Sequence, residues 1–171
     1  MEGARSAEIG DLDAIVDLAA RAVKELSELR GGDVWRRREA RQEPLGPMLE
    51  AAVRDADGDS TVIVGTVADT VVGYALSQIE DLVDGSRLAV VTDLYVDPEA
   101  RGVGVGEAMM DALVAHAERA GAIGIDAIAL PGDRATKNFF ESFGLKARAI
   151  VVHRALGERA AHGDADPAVQ P

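Results

Sequence analysis

The sequence predicts an α/β (α+β) chain: a central mixed sheet that begins as an antiparallel N-terminal meander and ends in a parallel central pair, flanked by helices. Three observations carry this. Val90–Val96 is an apolar, β-branched run stopped by Asp97, Pro98 and Glu99, and beyond the glycine-rich turn Arg101–Gly106 apolar residues from Val105 to Ala120 recur at helical spacing. Thr61–Val67 and Val71–Ile79 are β-rich runs separated only by Ala68, Asp69 and Thr70, the spacing of a tight antiparallel hairpin. Ile125–Leu130 reads as a buried strand, and because a helix joins it to the Val90 strand, the two are expected to lie parallel.

The elements follow in order. Ala4–Ala7 is expected as a short edge strand. Leu12, Ile15, Ala19, Ala22, Leu26 and Leu29 lie on one face of a long helix, with Asp11 and Asp13 at its positive end and Gly31 and Gly32 as its stop. The next stretch, DVWRRREARQEPLGP, holds the single Trp, Trp35, and the basic residues Arg36, Arg37, Arg38 and Arg41, and reads as a surface loop anchored by Trp35. A second helix is predicted from Pro47 to Ala56, closed by Asp57, Gly58 and Asp59, and Glu80–Ser86 is a polar loop leading to the Val90 strand. Gly121 and Gly124 bracket a turn after the central helix. Pro131 and Gly132 end the Ile125 strand, Asp133 caps a short helix through Phe143, and Gly144 ends it. Lys146–Arg154 alternates Ala147, Ala149 and Val151 against Arg148, Ile150 and Val152 and is predicted as a last strand. Residues 1–156 form one expected domain, and the tail 157–171, with little to bury, is expected to be disordered.

Composition narrows the function classes. A chain of 171 residues buries a core without staples, and the absence of Cys removes disulfides, thiolate nucleophiles and thiolate metal sites together. His116, His153 and His162 are too scattered for a metal cluster, so no metal is expected, and His116 falls on the apolar stripe of its helix. No apolar run approaches the roughly 20 residues that span a bilayer, and the N-terminus lacks the apolar core of a signal peptide, which suits a cytoplasmic protein. The formal charge of -12 repels nucleic acid and acidic membrane, so neither is an expected partner.

The chemistry centres on the strand, turn and helix around Arg101–Gly106. The first N–H groups of such a helix lack intrahelical partners and point outward at the positive end of its dipole, while Gly102, Gly104 and Gly106 permit close approach, so a diphosphate can lie on the amides. Two phosphate-loop patterns fail: Glu107 breaks the dinucleotide fingerprint, and no Lys-Ser or Lys-Thr pair follows for a P-loop. Arg101-x-x-Gly104-x-Gly106 after Leu94, Tyr95, Val96, Asp97 and Pro98 instead resembles the pyrophosphate-binding motif of the GNAT superfamily of N-acetyltransferases. The succession of elements is similar to that family from Ala4 to Leu156, and specific to it from Asp93 to Leu145.

The resemblance implies a parallel pair that splays apart beyond a bulge, with acetyl-CoA as acyl donor. Its pantetheine arm would contact Leu94, Tyr95 and Val96, and its diphosphate would contact Arg101, Gly102, Val103, Gly104, Val105 and Gly106. Asp133, Thr136, Asn138 and Phe140 fall at further cofactor-contacting positions. The implied reaction is direct transfer to an amine, with a backbone N–H near Val96 holding the oxyanion. Many relatives carry Glu then Asp before the Leu-Tyr-Val end of the strand; here the pair is Thr92 and Asp93, which leaves Asp93 as the candidate general base or, alternatively, a carboxylate bonded to a neighbouring loop. Phe140 stands where the family often has the Tyr that protonates the leaving thiolate, and has no proton to give.

Trp35 and the arginines beside it sit where the family places its acceptor-binding loop, so Trp35 is the candidate acceptor contact. The acceptor is expected to be a small-molecule or peptide amine, and a homodimer is a family-level expectation. Thr92 and Phe140 also motivate a second reading, a GNAT-fold module that binds acyl-CoA with little or no turnover.

Overall fold

The computed structural model describes residues 2–55 and 58–156; the expected C-terminal tail, the predicted helix end at Ala56, and Asp57 lie outside them. Five strands form one sheet in the order of the chain: β1 (Glu2–Ser6), β2 (Ser60–Val67), β3 (Thr70–Asp81), β4 (Arg87–Val96) and β5 (Ala122–Ala127). The first four pair antiparallel, and β4 pairs parallel with β5, as a strand joined through a crossover helix must. Ala68 and Asp69 turn the β2–β3 hairpin with φ of 47° and 66°, the left-handed pair that a two-residue connection between right-twisting strands demands.

Helices cover both faces. α1 (Leu12–Ser27) and α3 (Leu45–Val53) bury Ile15, Leu18 and Leu49 against Val62, Val64, Tyr74, Leu76 and Tyr95. On the opposite face α4 (Val105–Arg119) and α5 (Arg134–Ser142) bury Val105, Met109, Leu113 and Phe140 against Ile63, Ala75, Val91 and Val96. Alternation along β2 and β3 assigns neighbouring residues to the two layers, so a single slip in register would exchange them.

β1 starts two residues before the expected Ala4 and ends at Ser6, α3 starts at Leu45 rather than Pro47 and ends at Val53, and three further elements differ from expectation. Val34 and Trp35 lie in a short helix, α2 (Gly32–Arg38), rather than in a loop; its three arginines stand in the last turn, where cations complement the negative end of the helix. β5 begins at Ala122 and ends at Ala127, not at Leu130, because Gly121 alone makes the turn (φ 70°) and pairing with β4 stops at Val91 and Ala127. The predicted strand Lys146–Arg154 does not form: the segment has no strand partner, and Ile150, Val151 and Val152 are 82–89% exposed.

α4 lies close on the sheet because β2 and β3 each place a glycine, Gly65 and Gly73, beneath Val105 and Met109. A Cβ on Gly65 would stand 2.4 Å from Val105 Cγ1 and 2.9 Å from the Met109 sulfur. Val105 is stiff at χ1 and opens the helix, so it cannot move away cheaply. Gly65→Ala is expected to lower stability by about 1–3 kcal/mol, read as a fall in melting temperature.

Candidate active site

β4 carries the site because its two ends have different neighbours. Leu76 pairs with Asp93 and Ser77 with Val91, which leaves Thr92 as an extra, exposed residue: a bulge. Beyond it β5 is no longer beside the strand, since their pairing ends at Val91 and Ala127. The two strands therefore separate at the bulge, and the last turn of β4 has an open side.

The backbone of that open side can be assigned. Asp97 N donates to Val72 O at 2.8 Å, so Val72 and Asp97 are a hydrogen-bonded pair and, two residues on, Tyr74 and Tyr95 are the next. Leu94 and Val96 alternate with these, and their N–H and C=O groups point to the cleft. The Val96 carbonyl there accepts from Arg101 Nε at 2.9 Å. Tyr95, expected as a third contact, directs its backbone to β3 and its ring to the α1 face. Side chains divide likewise: Leu94 and Val96 face α4, Asp93 and Tyr95 face α1.

At the end of β4 Asp97 caps a short 3-10 turn, Pro98–Ala100, by accepting from Glu99 N, and pairs with Arg21 of α1 at 2.7 Å. The Glu99 amide, and then Arg21, hold its carboxyl below the usual range. The loop then reaches Gly104, whose φ of 95° starts α4. The first intrahelical bond is Ala108 N to Gly104 O, 3.0 Å, so the amides of Val105, Gly106 and Glu107 have no helical partner. Gly102 has nothing within 4 Å of where a Cβ would stand, whereas a Cβ on Gly106 would meet the Phe139 ring at 3.4 Å. The cradle is thus open on the loop side and walled by α5. Its one acidic neighbour on β1 is Glu2, whose Cγ lies 3.7 Å from a Cβ placed on Gly104.

Arg101 is held beside this cradle. Its Nη2 donates to Glu25 Oε2 at 2.9 Å and its guanidinium lies 5.3 Å from the centre of the Tyr95 ring, while Tyr95 Oη donates to the same Glu25 oxygen at 2.9 Å. The hydrogen bond from Arg101, opposed by burial and assisted by Tyr95, lowers the Glu25 pKa below 4.5. A depressed carboxylate stabilises the fold above its unfolded pKa and loses that contribution as pH falls through the folded one. Melting temperature is therefore expected to fall as pH drops below the ordinary carboxylate range in the native chain, and to fall less in Glu25→Gln.

Asp93 stands at the bulge with its oxygens filled. It accepts from Arg41 Nε at 2.9 and 3.0 Å, from Arg41 Nη2 at 2.6 Å, from Tyr74 Oη at 2.9 Å and from Thr92 Oγ1 at 2.8 Å. Both side chains of the ion pair are nearly buried, at 12% and 10% exposure. Burial, and then the Asp93 charge, push the Tyr74 hydroxyl well above its ordinary pKa, so it remains a donor. This is the alternative arrangement of the two read from sequence: a carboxylate bonded to a neighbouring loop.

α2 and its connections bridge the gap between the strands. A Cβ on Gly31 would meet Pro131 at 3.6 Å and one on Gly132 the Arg30 nitrogen at 3.0 Å, so the start of α2 touches the turn after β5. At the other end Arg41 reaches Asp93 and Thr92 on β4. Trp35 lies half-buried between these anchors.

On α5, Asp133 caps the helix by accepting from Thr136 N at 2.9 Å, Asn138 is exposed, and Phe140 is buried against the α4 layer beside Phe139. Sequence reasoning did not single out Phe139 or Glu25, and read Arg41 only as part of a basic run; the Phe139-Phe140 pair was the one local signal. Among the described residues no group of three or more His, Asp or Glu could hold a metal ion, and no helix is long and apolar enough to cross a membrane.

Residues 22–145 match the family described as acetyltransferase (GNAT) family. Comparison with curated proteins gives no match. Among solved structures, a mutant of the BH1408 protein from Bacillus halodurans is 18% identical with a TM-score of 0.75, over 90% of this chain and 98% of that one. Glucosamine-6-phosphate N-acetyltransferase from Arabidopsis thaliana is 15% identical with a TM-score of 0.67, over 91% of this chain and 98% of that one. A predicted acetyltransferase with acetyl-CoA from Clostridium acetobutylicum is 15% identical with a TM-score of 0.65, over 91% and 96%. Structural likeness at such identities establishes the fold alone, whereas the family match spans well over half of the sequence. The chain belongs to the acetyltransferase (GNAT) family.

Proposed function

We propose that this protein moves the acetyl group of acetyl-CoA to a primary amine by direct transfer. The observation that carries this reading is the open side of β4, where the Leu94 backbone and the Val96 N–H face the cleft with no strand partner and the first amides of α4 have no helical partner. An extended amide-bearing arm fits there as an added strand would, and linked phosphates fit the amides of Val105, Gly106 and Glu107. The bound donor supplies a thioester carbonyl open to attack by an amine.

The chain's own groups do the rest. The Leu94 and Val96 N–H groups are the donors available to polarise a carbonyl beside the bulge, in a cleft walled by Phe139 and Phe140 and bridged by α2. Asp93 has its oxygens occupied by Arg41, Tyr74 and Thr92, so its role in this reading is to fix Arg41 and the bulge, and the amine delivers its proton to water. Water likewise protonates the leaving thiolate, since Phe140 carries no hydroxyl and a thiol of pKa near about 8.5 leaves tolerably. The acceptor is a small-molecule or peptide amine that enters beneath Trp35.

A second reading, an acyl-CoA-binding module with little turnover, is favoured by one observation, the locked state of Asp93. Calorimetry with coenzyme A and thiol release from acetyl-CoA over a panel of amines separate the two. Binding together with acceptor-dependent release is the expected result. Binding without release for any amine supports the module, and no binding at all overturns both.

A further inference from the structure

We propose that the amine acceptor carries an acidic group, a carboxylate or a phosphate, recognised by Arg36 and Arg37 on the helix α2 that spans the split between β4 and β5. This rests on the acetyl-transfer reading and adds to it the charge of the acceptor. The first observation is where α2 is held. Its start touches the turn after β5 at Pro131, and beyond its end Arg41 bonds Asp93 and Thr92 on β4. Asp93 lies on the α1 face with Tyr74, so α2 crosses the split on that face. The free amides of Val105, Gly106 and Glu107 belong to α4, which covers the opposite face of the sheet. An anion bound by α2 is therefore not the diphosphate that those amides suit.

The second observation is unused charge. The chain carries thirty acidic and eighteen basic side chains, yet residues 30–41 hold five arginines against Asp33 and Glu39 alone. Two of the five are engaged: Arg41 with Asp93 at 2.6 Å and Arg38 with Glu39 at 3.2 Å. Arg36 and Arg37 are exposed and have no acidic partner among the described residues. The carbonyls at the end of α2 do not depend on them either. Gln42 Nε2 donates to Arg36 O at 3.0 Å and to Ala40 O at 2.8 Å.

Range decides which charge an acceptor meets. At physiological ionic strength the Debye length is about 8 Å, so the formal charge of -12, spread over the whole chain, is screened at the split, whereas side chains beside it are not. The nearest run is basic. α2 is fixed at both ends, with Trp35 half-buried between them, so Arg36 and Arg37 stand on a backbone that needs no ordering when a ligand binds. A guanidinium fork matches the paired oxygens of a carboxylate or phosphate, which gives orientation as well as attraction. A polyamine meets like charge there instead.

The test compares thiol release from acetyl-CoA for β-alanine against β-alaninamide and for phosphoethanolamine against ethanolamine, with spermidine as the cationic amine. The acidic member of a pair is expected to be favoured in kcat/KM, and Arg36→Glu with Arg37→Glu to lower that preference at least about tenfold, through KM. Comparing variant with native protein cancels each amine's own pKa, and the two pairs separate carboxylate from phosphate. Arg119→Glu with Lys146→Glu, the same change of charge at two exposed residues outside α2, should keep the preference. Coenzyme A affinity should hold in both variants. Titration of the coenzyme A-loaded protein with the same amines reads binding without turnover, so charge-selective binding with no release would overturn the transfer reading and leave this one standing. Acidic and neutral members taken alike, no binding of either acidic member, a preference that survives reversal of Arg36 and Arg37, an equal loss in the control variant, or coenzyme A affinity lost with the two arginines would each overturn the proposal.

Discussion

Asp93→Ala is expected to lower the stability of the fold by about 3–5 kcal/mol, because it leaves the Arg41 guanidinium nearly buried without its counter-ion. Tyr74 Oη also loses its acceptor in a site where burial already disfavours ionisation, which adds the cost of an unsatisfied buried hydroxyl. At roughly 2–4 °C per kcal/mol for a chain of this length, a fall in melting temperature of about 10 °C follows. Arg41→Ala should destabilise as well, and the double substitution less than the sum of the two, since each single change strands the other charge. Coenzyme A affinity is expected to survive at temperatures where the variant is folded, as Leu94, Val96 and the α4 amides are not part of the ion pair. The isosteric Asp93→Asn separates anchoring from proton abstraction: an anchor gives a lower melting temperature with an unchanged pH profile of turnover, whereas a base gives a lost limb in that profile with a near-native melt.

What could be read beforehand divides along local and non-local lines. The β2–β3 hairpin, the β4–α4 junction and the α5 cap at Asp133 are decided by residues within a few positions of one another, and each formed where expected, with β2, β3 and β4 one to three residues longer at one or both ends. The bulge at Thr92 is decided by how β3 and β4 count against each other, which no single strand records. The same holds for Arg41: its partner lies 52 residues away, and nothing in the run of arginines distinguishes the one that is nearly buried from the three that are exposed. Lys146–Arg154 is the opposite case. Its alternation is a real strand signal, yet it pairs with no strand although β5 leaves an edge free, and only Arg148 reaches β5, at Asp126. Phe139 was within reach, because an aromatic pair at successive helical positions must send one ring to a different neighbour, and Gly106 supplies the space that receives it.

Gly104→Asp is expected to abolish useful binding of acetyl-CoA while leaving the fold nearly as stable as before, and the contrast is what makes the substitution informative. Gly104 occupies the N-cap of α4 at φ 95°. A side chain there costs about 1–2 kcal/mol of left-handed strain, but Asp tolerates that conformation better than most residues, and a carboxylate at a helix N-terminus contributes about 0.5–2 kcal/mol as a cap. The two nearly cancel. Binding has no such offset, because the new carboxylate stands among the amides of Val105, Gly106 and Glu107 on which the diphosphate would lie. Like charges about 4 Å apart in a partly desolvated site repel by about 4 kcal/mol, a loss of several hundredfold or more. Gly104→Asn supplies the control, with the same shape and the same tolerance of positive φ but no charge, and should remain within about tenfold of the native affinity. Calorimetric titration of the three proteins with coenzyme A reads the difference directly. Equal weakening by Asn and Asp would mean that volume rather than charge governs the loop, and native affinity in Gly104→Asp would move the diphosphate away from α4 altogether.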